Sequence, residues 1–279
     1  MQTINGSKWN SYLTLGLLIF TFYSPIAGAN PKQERHSYKG ETYKDEKQEP
    51  CAGQICDPFR FIISLTGGAA WANVGESQSF TDDESKYAYD ADQGKQSKYM
   101  WGGAIGEELR FYPDWSIQID LAYYQTQAFQ AEGTVTQGVD PATDEKYHYE
   151  YNVIARQYLV EGKFLGDMAF GIHPYALVGV GASFNSVYDY GVDINHPDSF
   201  PTFSPKYEKN TNITFSYIAG VGADFDLMNN LRLGIGYRFA WFGHANTGDG
   251  EINTVPISHS LNQKHLNVQE AVMQLTFLL

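Results

Sequence analysis

The segment Leu231-Arg-Leu-Gly-Ile-Gly-Tyr-Arg-Phe-Ala-Trp241 decides the fold of this chain of 279 residues. Apolar residues occupy every second position from Leu231 to Trp241, and arginine or glycine occupies most positions between them. Successive side chains of a β-strand point to opposite faces, so this period of two predicts one apolar and one polar face. A polar face that combines glycine with charges suits a narrow lumen, which places the apolar face on the outside of a barrel.

About eight stretches of this kind follow one another from Phe59 to Leu279, and the connections between them alternate between long and short. The pattern predicts an all-β fold, an eight-stranded antiparallel up-and-down transmembrane β-barrel. The predicted strands are Arg60–Val74, Tyr99–Tyr112, a third that begins at Trp115, Tyr151–Leu165, a fifth through Ala176–Phe184, Asn212–Leu227, Leu231–Trp241 and a closing strand through Glu270–Leu279.

The lengths of the connections predict the orientation. Bacterial outer-membrane barrels have short periplasmic turns and long external loops. The short links near Pro113, Gly166 and Asn229 therefore predict two periplasmic termini and four external loops in the outer membrane. One residue fits poorly, because Glu107 falls on the lipid face of the second strand. Either Glu107 lies near the membrane interface, or a bulge at Gly102-Gly103 shifts the register.

The first residues have the pattern of an export signal. Lys8 precedes a mainly apolar run from Tyr12 to Phe22, and Ala27-Gly28-Ala29 has the small-x-small form that signal peptidase cleaves. A membrane-spanning helix needs about 20 apolar residues, and this run has roughly half that number. The predicted organisation is a signal peptide over residues 1–29, a flexible periplasmic extension over 30–58 and the barrel over 59–279.

Composition and cysteine usage narrow the possible partners. The formal net charge of -13 argues against a nucleic-acid partner, because phosphate binding needs a basic stripe. Cys51 and Cys56 stand close together in an exported chain, where an oxidising compartment favours a disulfide. The alternative, a zinc site, needs two further ligands, and His36 is the only histidine nearby. We expect no cofactor.

A soluble barrel or sandwich is the alternative fold, since alternation alone does not say which face is inside. The export signal and the terminal Phe277-x-Leu279 favour the membrane.

The segment Leu233-Gly-Ile-Gly-Tyr-Arg-Phe-Ala-Trp-Phe-Gly243, followed by a long loop and a closing strand, resembles the penultimate hairpin of opacity-type and outer-membrane-protein-A-type barrels. The resemblance covers about residues 59–279 and implies recognition by the barrel-assembly machinery. Leu279 departs from it, because these barrels usually end in phenylalanine, and Gln274 stands where the insertion signal often has glycine.

The inward positions carry charges of both signs. An eight-stranded barrel is just wide enough for its side chains to fill, so we expect these charges to pair with one another. Arg238 and Glu270 should lie at similar heights on neighbouring strands and touch. A plug of ion pairs is the structural interpretation, and a gated ion path is the functional alternative. The predicted interior network consists of Glu108, Arg110, Asp120, Glu161, Lys163, Asp224, Asp226, Arg232, Arg238 and Glu270.

Catalytic and metal motifs are weak. His244-Ala245-Asn246 looks like the place where a lipid A deacylase keeps a histidine and, two residues on, its serine, but an amide cannot replace a hydroxyl in acyl transfer. His259 and Ser260 are adjacent rather than spaced for a shared face. The run from Asp90 to Gly94 resembles the start of a calcium loop, yet the glycine comes one position early. We therefore expect neither an enzyme nor a metal site.

These patterns together predict an integral outer-membrane barrel with a structural or surface-recognition role. Loops carry recognition on rigid scaffolds, so residues 77–98 and 193–209 are the segments expected to contact a host or environmental surface ligand. The other expected partners are outer-membrane lipid and lipopolysaccharide. A small porin-like channel is the alternative function, and a lipid-modifying enzyme is a third.

Overall fold

The computed structural model describes residues 59–82, 85–112, 114–138, 145–168, 170–193, 205–252, 255–257 and 259–279. The predicted signal peptide, the predicted extension and the Cys51–Cys56 pair lie outside the described residues. No helix in the described part of the chain is long and apolar enough to cross a membrane.

The described residues form strands, which we number in chain order. The strands are β1 (Phe59–Asn73), β2 (Gln78–Asp82), β3 (Ser85–Ala91), β4 (Lys95–Tyr112), β5 (Trp115–Thr126), β6 (Phe129–Gly138), β7 (Glu145–Gly166), β8 (Ile172–Asp193), β9 (Lys206–Tyr207), β10 (Asn210–Met228), β11 (Leu231–Trp241), β12 (Ala245–Asn246), β13 (Gly250–Ile252), β14 (Val255–Ile257), β15 (Asn262–Gln263) and β16 (Asn267–Leu278).

Eight of these strands close into a ring. The order around the wall is β1, β4, β5, β7, β8, β10, β11 and β16, and every neighbouring pair is antiparallel. The strand β16 pairs in turn with β1, from Ile62 opposite Leu278 to Ala72 opposite Val268. The prediction of an eight-stranded antiparallel up-and-down barrel is confirmed, because each wall strand pairs with the next wall strand along the chain and the last pairs with the first.

The outer wall carries an apolar belt. Leu65, Leu121 and Ile235 point outward from three different strands and are each about half exposed or more. A continuous apolar outer surface of this kind marks contact with an apolar environment rather than with water. Aromatic side chains bound the belt at both ends: Tyr99, Trp101, Tyr123, Tyr158, Phe215, Tyr217 and Trp241 form the loop-side girdle, and Phe59, Phe61, Phe111, Tyr112, Trp115, Phe164 and Phe277 form the turn-side girdle.

The register of β4 defines the position of Glu107. The pairing of β1 with β4 runs without interruption from Phe59 opposite Leu109 to Asn73 opposite Lys95, so no bulge occurs at Gly102-Gly103. The irregularity of β4 lies instead at its turn end, past Arg110. Glu107 therefore points outward in the belt's turn-side half, between Phe61 on β1 and Ile119 on β5.

Two of the predicted external loops are in fact β-structure. The first connection contains the hairpin β2–β3, and the second contains β6, while β7 and β8 each run for 22 residues. The sequence predicts these connections only as polar loops, without the strands that they contain. The period of two continues past the predicted strand ends, as Tyr147, Tyr149 and Tyr151 illustrate on β7. These strands form a sheet in the order β2, β3, β6, β7, β8, which we call the loop-side extension.

A tyrosine core stabilises the loop-side extension. The rings of Tyr89 and Tyr149 pack edge to face at 5.1 Å, and those of Tyr190 and Tyr207 at 4.9 Å. The hydroxyl of Tyr207 donates to that of Tyr89 at 3.5 Å. Aromatic pairs of this geometry contribute about 0.5–1.5 kcal/mol each beyond their buried area. The extension thus has its own packed interior outside the barrel wall.

Candidate functional site

The barrel interior is the first candidate site, because it concentrates buried charge. Eight of the ten residues predicted for the interior network are at most 4 % exposed. The other two lie elsewhere: Arg110 and Asp226 sit at the turn-side mouth, with side chains 49 % and 40 % exposed. The eight buried members are Glu108, Asp120, Glu161, Lys163, Asp224, Arg232, Arg238 and Glu270.

Arg238 and Glu270 stand directly opposite each other on β11 and β16. The Arg238 guanidinium donates to Glu270 Oε2 through Nε at 2.8 Å and lies within 2.7 Å of it through Nη2. The guanidinium also lies 4.0 Å from the ring centre of Tyr124 on β5, across the lumen. Charge-assisted bonds of this kind are short and strong in a low-dielectric interior.

A second ion pair crosses the lumen. Lys163 Nζ on β7 donates to Asp224 Oδ2 on β10 at 2.6 Å and to Gln274 Oε1 on β16 at 2.9 Å. The same ammonium lies 4.1 Å from the ring centre of Tyr175 on β8. One lysine on β7 therefore contacts three other strands of the wall, and it fills the middle of the barrel.

A third group fills the turn-side third of the lumen. Arg232 Nη1 donates to Glu108 Oε2, Nη2 donates to Glu108 Oε1 at 3.3 Å, and Nε donates to Asp226 Oδ1 at 3.0 Å. Gln118 also donates to Glu108 Oε2 at 2.7 Å. The planar guanidinium thus bridges two carboxylates from β4 and β10, which suits its fork of fixed donors.

The turn-side mouth carries a separate polar cluster. His173 lies 2.7 Å from Asp167 through Nδ1 and 2.9 Å from Asp226 through Nε2. Arg110 donates to Asp167 Oδ2 at 3.0 Å. Sequence reasoning missed His173, although its place two residues before the inward Tyr175 would have predicted an inward side chain. The cluster ties three short-turn segments together at the end of the barrel.

Asp120 and Glu161 are the exceptions to charge pairing. They stand directly opposite each other on β5 and β7, and neither has an ion pair within the described part of the chain. Tyr124 donates to Glu161 Oε2 at 3.0 Å, whereas Asp120 Oδ1 and Glu161 Oε1 accept no hydrogen bond from the described residues. The cavity that they share measures about 10 Å³, which holds about one water molecule. The interior is therefore packed rather than open.

The loop-side end of the lumen is covered by the fourth loop. Asn185 Nδ2 donates to the carbonyl oxygens of Phe242 at 2.7 Å and His244 at 2.8 Å, and Thr214 donates to the same Phe242 oxygen at 2.7 Å. Phe242 and Leu266 are fully buried below this loop. Packing therefore closes the loop-side end of the lumen, and ion pairs fill the turn-side end.

The weaker chemical motifs do not come together as sites. His244 is exposed, and Asn246 lies in the short strand β12, opposite Asn262. His259 stacks on Phe80 with ring centres 4.5 Å apart, which accounts for its position by packing. Asp90 Oδ1 accepts a hydrogen bond from Ser77 at 3.0 Å. Among the described residues, no three His, Cys, Asp or Glu side chains are grouped to hold a metal ion.

No protein-family model matches the chain, and no curated protein matches it. Among solved structures, the chain is similar to neisserial surface protein A, with 12% identity over 78% of this chain and 96% of that one and a TM-score of 0.39. It is similar to the outer membrane protein OprG from Pseudomonas aeruginosa (12% identity, 78% and 95% covered, TM-score 0.41) and to the attachment invasion locus protein Ail of Yersinia pestis (11% identity, 78% and 98% covered, TM-score 0.36). All three TM-scores lie below 0.5, and the closed strand pairing and the apolar belt of this chain are what identify a membrane-type β-barrel.

Proposed function

We propose that the chain is an integral outer-membrane protein in which the barrel is a filled scaffold and the loop-side extension is a surface-recognition element. The belt between the two aromatic girdles is the observation that supports the membrane location. Its outward side chains, such as Val178 at 64 % exposure and Val221 at 61 %, have no apolar partner within the described part of the chain that would shield them from water. Hydrocarbon is the solvent that such a surface requires.

The proposed orientation is supported by the positions of the turns and of the chain ends. Phe59 and Leu279 lie at the end of the barrel where the short turns are, and Leu279 N donates to the Phe61 oxygen at 2.9 Å. Short turns face the periplasm in bacterial outer-membrane barrels. The loop-side extension then projects from the cell surface, where it can meet a host or environmental ligand.

The filled lumen favours a scaffold over a pore. An open channel needs a continuous water path, and the central cavity holds about one water molecule. Catalysis has less support still, because Asn246 offers no nucleophile and His259 is held by Phe80. The resemblance of the segment from Leu233 to Gly243 to opacity-type and outer-membrane-protein-A-type barrels agrees with this function.

Fractionation of cells that express the full chain tests the location. We expect the protein in the outer-membrane fraction, with electrophoretic mobility that changes on boiling because a closed barrel resists detergent until it is heated. A folded monomer that stays in the supernatant after ultracentrifugation without detergent contradicts the membrane location.

Replacement of the β2–β3 hairpin tests the recognition role. We expect that a chain in which a Gly-Ser linker replaces residues 78–91 keeps its heat-modifiable barrel, because β2 and β3 lie outside the ring. Attachment of cells to the surface that the wild type colonises should fall at least about tenfold, which corresponds to about 1.4 kcal/mol of binding free energy. A control chain with the same linker length inserted after Asn229, in a short turn, should keep attachment. Equal attachment by the wild type and the hairpin variant contradicts recognition by the extension.

A further inference from the structure

A cavity of about 330 Å³ opens on the outer surface of the barrel, away from the filled lumen. It lies where β1 ends, where β4 and β16 begin and where the first and fourth loops meet. Its volume is at the lower limit of pockets that hold small molecules. Its lining includes Trp71, Asn73, Gln93, Lys95, Asn267 and Gln269.

The cavity lies at the height of the loop-side girdle. Gln269 is opposite Trp71 on one side and Phe239 on the other, and Asn267 is opposite Trp241. Aromatic side chains of membrane proteins concentrate at the level of the lipid head groups. Since the cavity shares that level and faces outward, a ligand in it would lie among head groups rather than in the hydrocarbon or the lumen.

Lys95 and Glu76, which line the cavity, each already have a hydrogen-bond partner in the protein. Lys95 Nζ donates to Gln269 Oε1 at 2.8 Å. Glu76 Oε1 accepts from the backbone nitrogens of Lys264 at 2.7 Å and His265 at 3.3 Å. A phosphate or sulfate site gathers several cationic donors, whereas the ionisable side chains that line this cavity are one lysine, one glutamate and one histidine, Lys95, Glu76 and His265. The small number of charged side chains in the cavity, and the partners that Lys95 and Glu76 already have, favour a neutral ligand.

The remaining donors and acceptors fit hydroxyl groups. The exposed amides of Asn73, Gln93 and Asn267 make no hydrogen bond to the described part of the chain. Each amide offers two donors and one acceptor oxygen, and a sugar hydroxyl likewise both donates and accepts. Trp71 adds an aromatic surface on which the C–H face of a sugar ring can pack.

We propose that this cavity binds a neutral sugar ring. The sugar has two possible sources, the saccharide of an outer-leaflet glycolipid in the same membrane or a free oligosaccharide from outside. A glycolipid source rests on the proposed outer-membrane location, whereas the preference of the cavity for a neutral sugar does not.

Binding to defined saccharides tests the proposal. The full chain, folded in detergent, is applied to immobilised neutral, phosphorylated and sulfated oligosaccharides, and folding is checked by the mobility shift on boiling. We expect retention on neutral oligosaccharides, and Trp71→Ala should weaken it by about tenfold. The pair Asn73→Ala and Gln93→Ala should weaken it by a similar factor, because each lost hydrogen bond is expected to change affinity by about twofold to tenfold. Trp101→Ala is the matched control, since Trp101 belongs to the same girdle but does not line the cavity.

Lipid nanodiscs with and without rough lipopolysaccharide then separate the two sources. Competition of lipopolysaccharide nanodiscs with the immobilised oligosaccharide identifies the membrane glycolipid, and the lack of competition identifies the free saccharide. Retention only on phosphorylated or sulfated material, retention on nothing, or equal loss in Trp101→Ala and Trp71→Ala overturns the neutral sugar site. A protein that folds without detergent and still binds the oligosaccharides contradicts the membrane location and leaves the sugar site in place.

Discussion

Removal of one charge should affect stability differently in the buried ion pairs of the lumen and at the unpaired carboxylates Asp120 and Glu161. Arg238 lies against Glu270 at 2.7 Å, so loss of the Glu270 charge leaves a buried guanidinium without its main partner. Asp120 has no such partner among the described residues and stands opposite the carboxylate of Glu161. Like charges that face each other across two strands destabilise the pair. The two kinds of position therefore predict opposite responses to a neutral amide.

Glu270→Gln should lower the free energy of unfolding by about 3–5 kcal/mol, because it breaks a buried pair from one side. Urea titration of the barrel in lipid vesicles measures this change. Asp120→Asn is the control, and it should leave stability unchanged or raise it. Bilayer recordings of both variants add a functional readout: a conductance that changes in Glu270→Gln while stability stays at the wild-type value contradicts the ion-pair plug and supports a gated path.

At the scale of the element, β7 and β8 are about twice as long as a membrane crossing requires. A tilted strand needs about 9–11 residues to span the bilayer, and these strands have 22 each. The excess forms the loop-side extension with its tyrosine core. Burial, and after it the carboxylates of Asp90 and Asp92, raise the pKa of Tyr149 to about 12. Burial likewise raises the pKa of the tyrosines at 89, 151 and 207.

The extension should melt at alkaline pH before the barrel does. An unfolded tyrosine ionises near pH 10, so a raised pKa in the folded state contributes stability that is complete below about pH 10. That stability is lost as the pH rises through about 12, the pKa of folded Tyr149. Tyrosinate absorbance and near-ultraviolet circular dichroism follow the transition, and boiling-dependent mobility reports the barrel.

Tyr149→Phe should move this alkaline transition to higher pH, because the ring stays and its proton no longer titrates. Tyr112→Phe, at the exposed turn-side girdle, is the control and should leave the transition where it is. Simultaneous loss of the extension and of the heat-modifiable barrel at one pH contradicts the independence of the two parts.

The strand pattern could be predicted from the sequence because alternation is local. The inward direction of Arg238 and Glu270 follows from counting by two along β11 and β16, and their contact follows from the pairing of adjacent strands. The contact of Lys163 with Asp224 could not be predicted in this way, because it crosses the lumen and depends on the tilt and stagger of the whole ring. The hairpin β2–β3 could not be predicted either, because its composition is polar. Its strands become part of a sheet through the pairing of β3 with β6, which is distant in sequence.

At the scale of the whole molecule, the belt and the girdles define how the barrel contacts its solvent. Leu121, at 62 % exposure, lies between the two girdles. Ser97 is also exposed on the outer face of β4, two residues beyond Tyr99 on the loop side. A charge costs far more at the bilayer midplane than at its surface, so the two positions should respond differently to the same substitution.

Leu121→Lys should lower the free energy of unfolding in lipid vesicles by about 2–4 kcal/mol, and Ser97→Lys by about 0–1 kcal/mol. Urea titrations in vesicles of one composition give both values. Equal, small effects at the two positions would mean that water rather than hydrocarbon surrounds the belt.

The pairing of β1 with β16 closes the ring next to both ends of the barrel segment, so the strand pairs do not depend on which turn holds the chain ends. Leu278 N donates to the Asn230 oxygen and Leu279 N to the Phe61 oxygen, each at 2.9 Å, so both ends of the barrel segment meet at one rim. A circular permutant that joins Leu279 to Phe59 and opens between Asn229 and Asn230 keeps every strand pair of the ring while it gives the barrel a different last strand, β10. If such a permutant refolds in vesicles, the closed ring of strand pairs is sufficient for folding. If the same permutant fails to insert in cells, insertion requires β16 as the last strand.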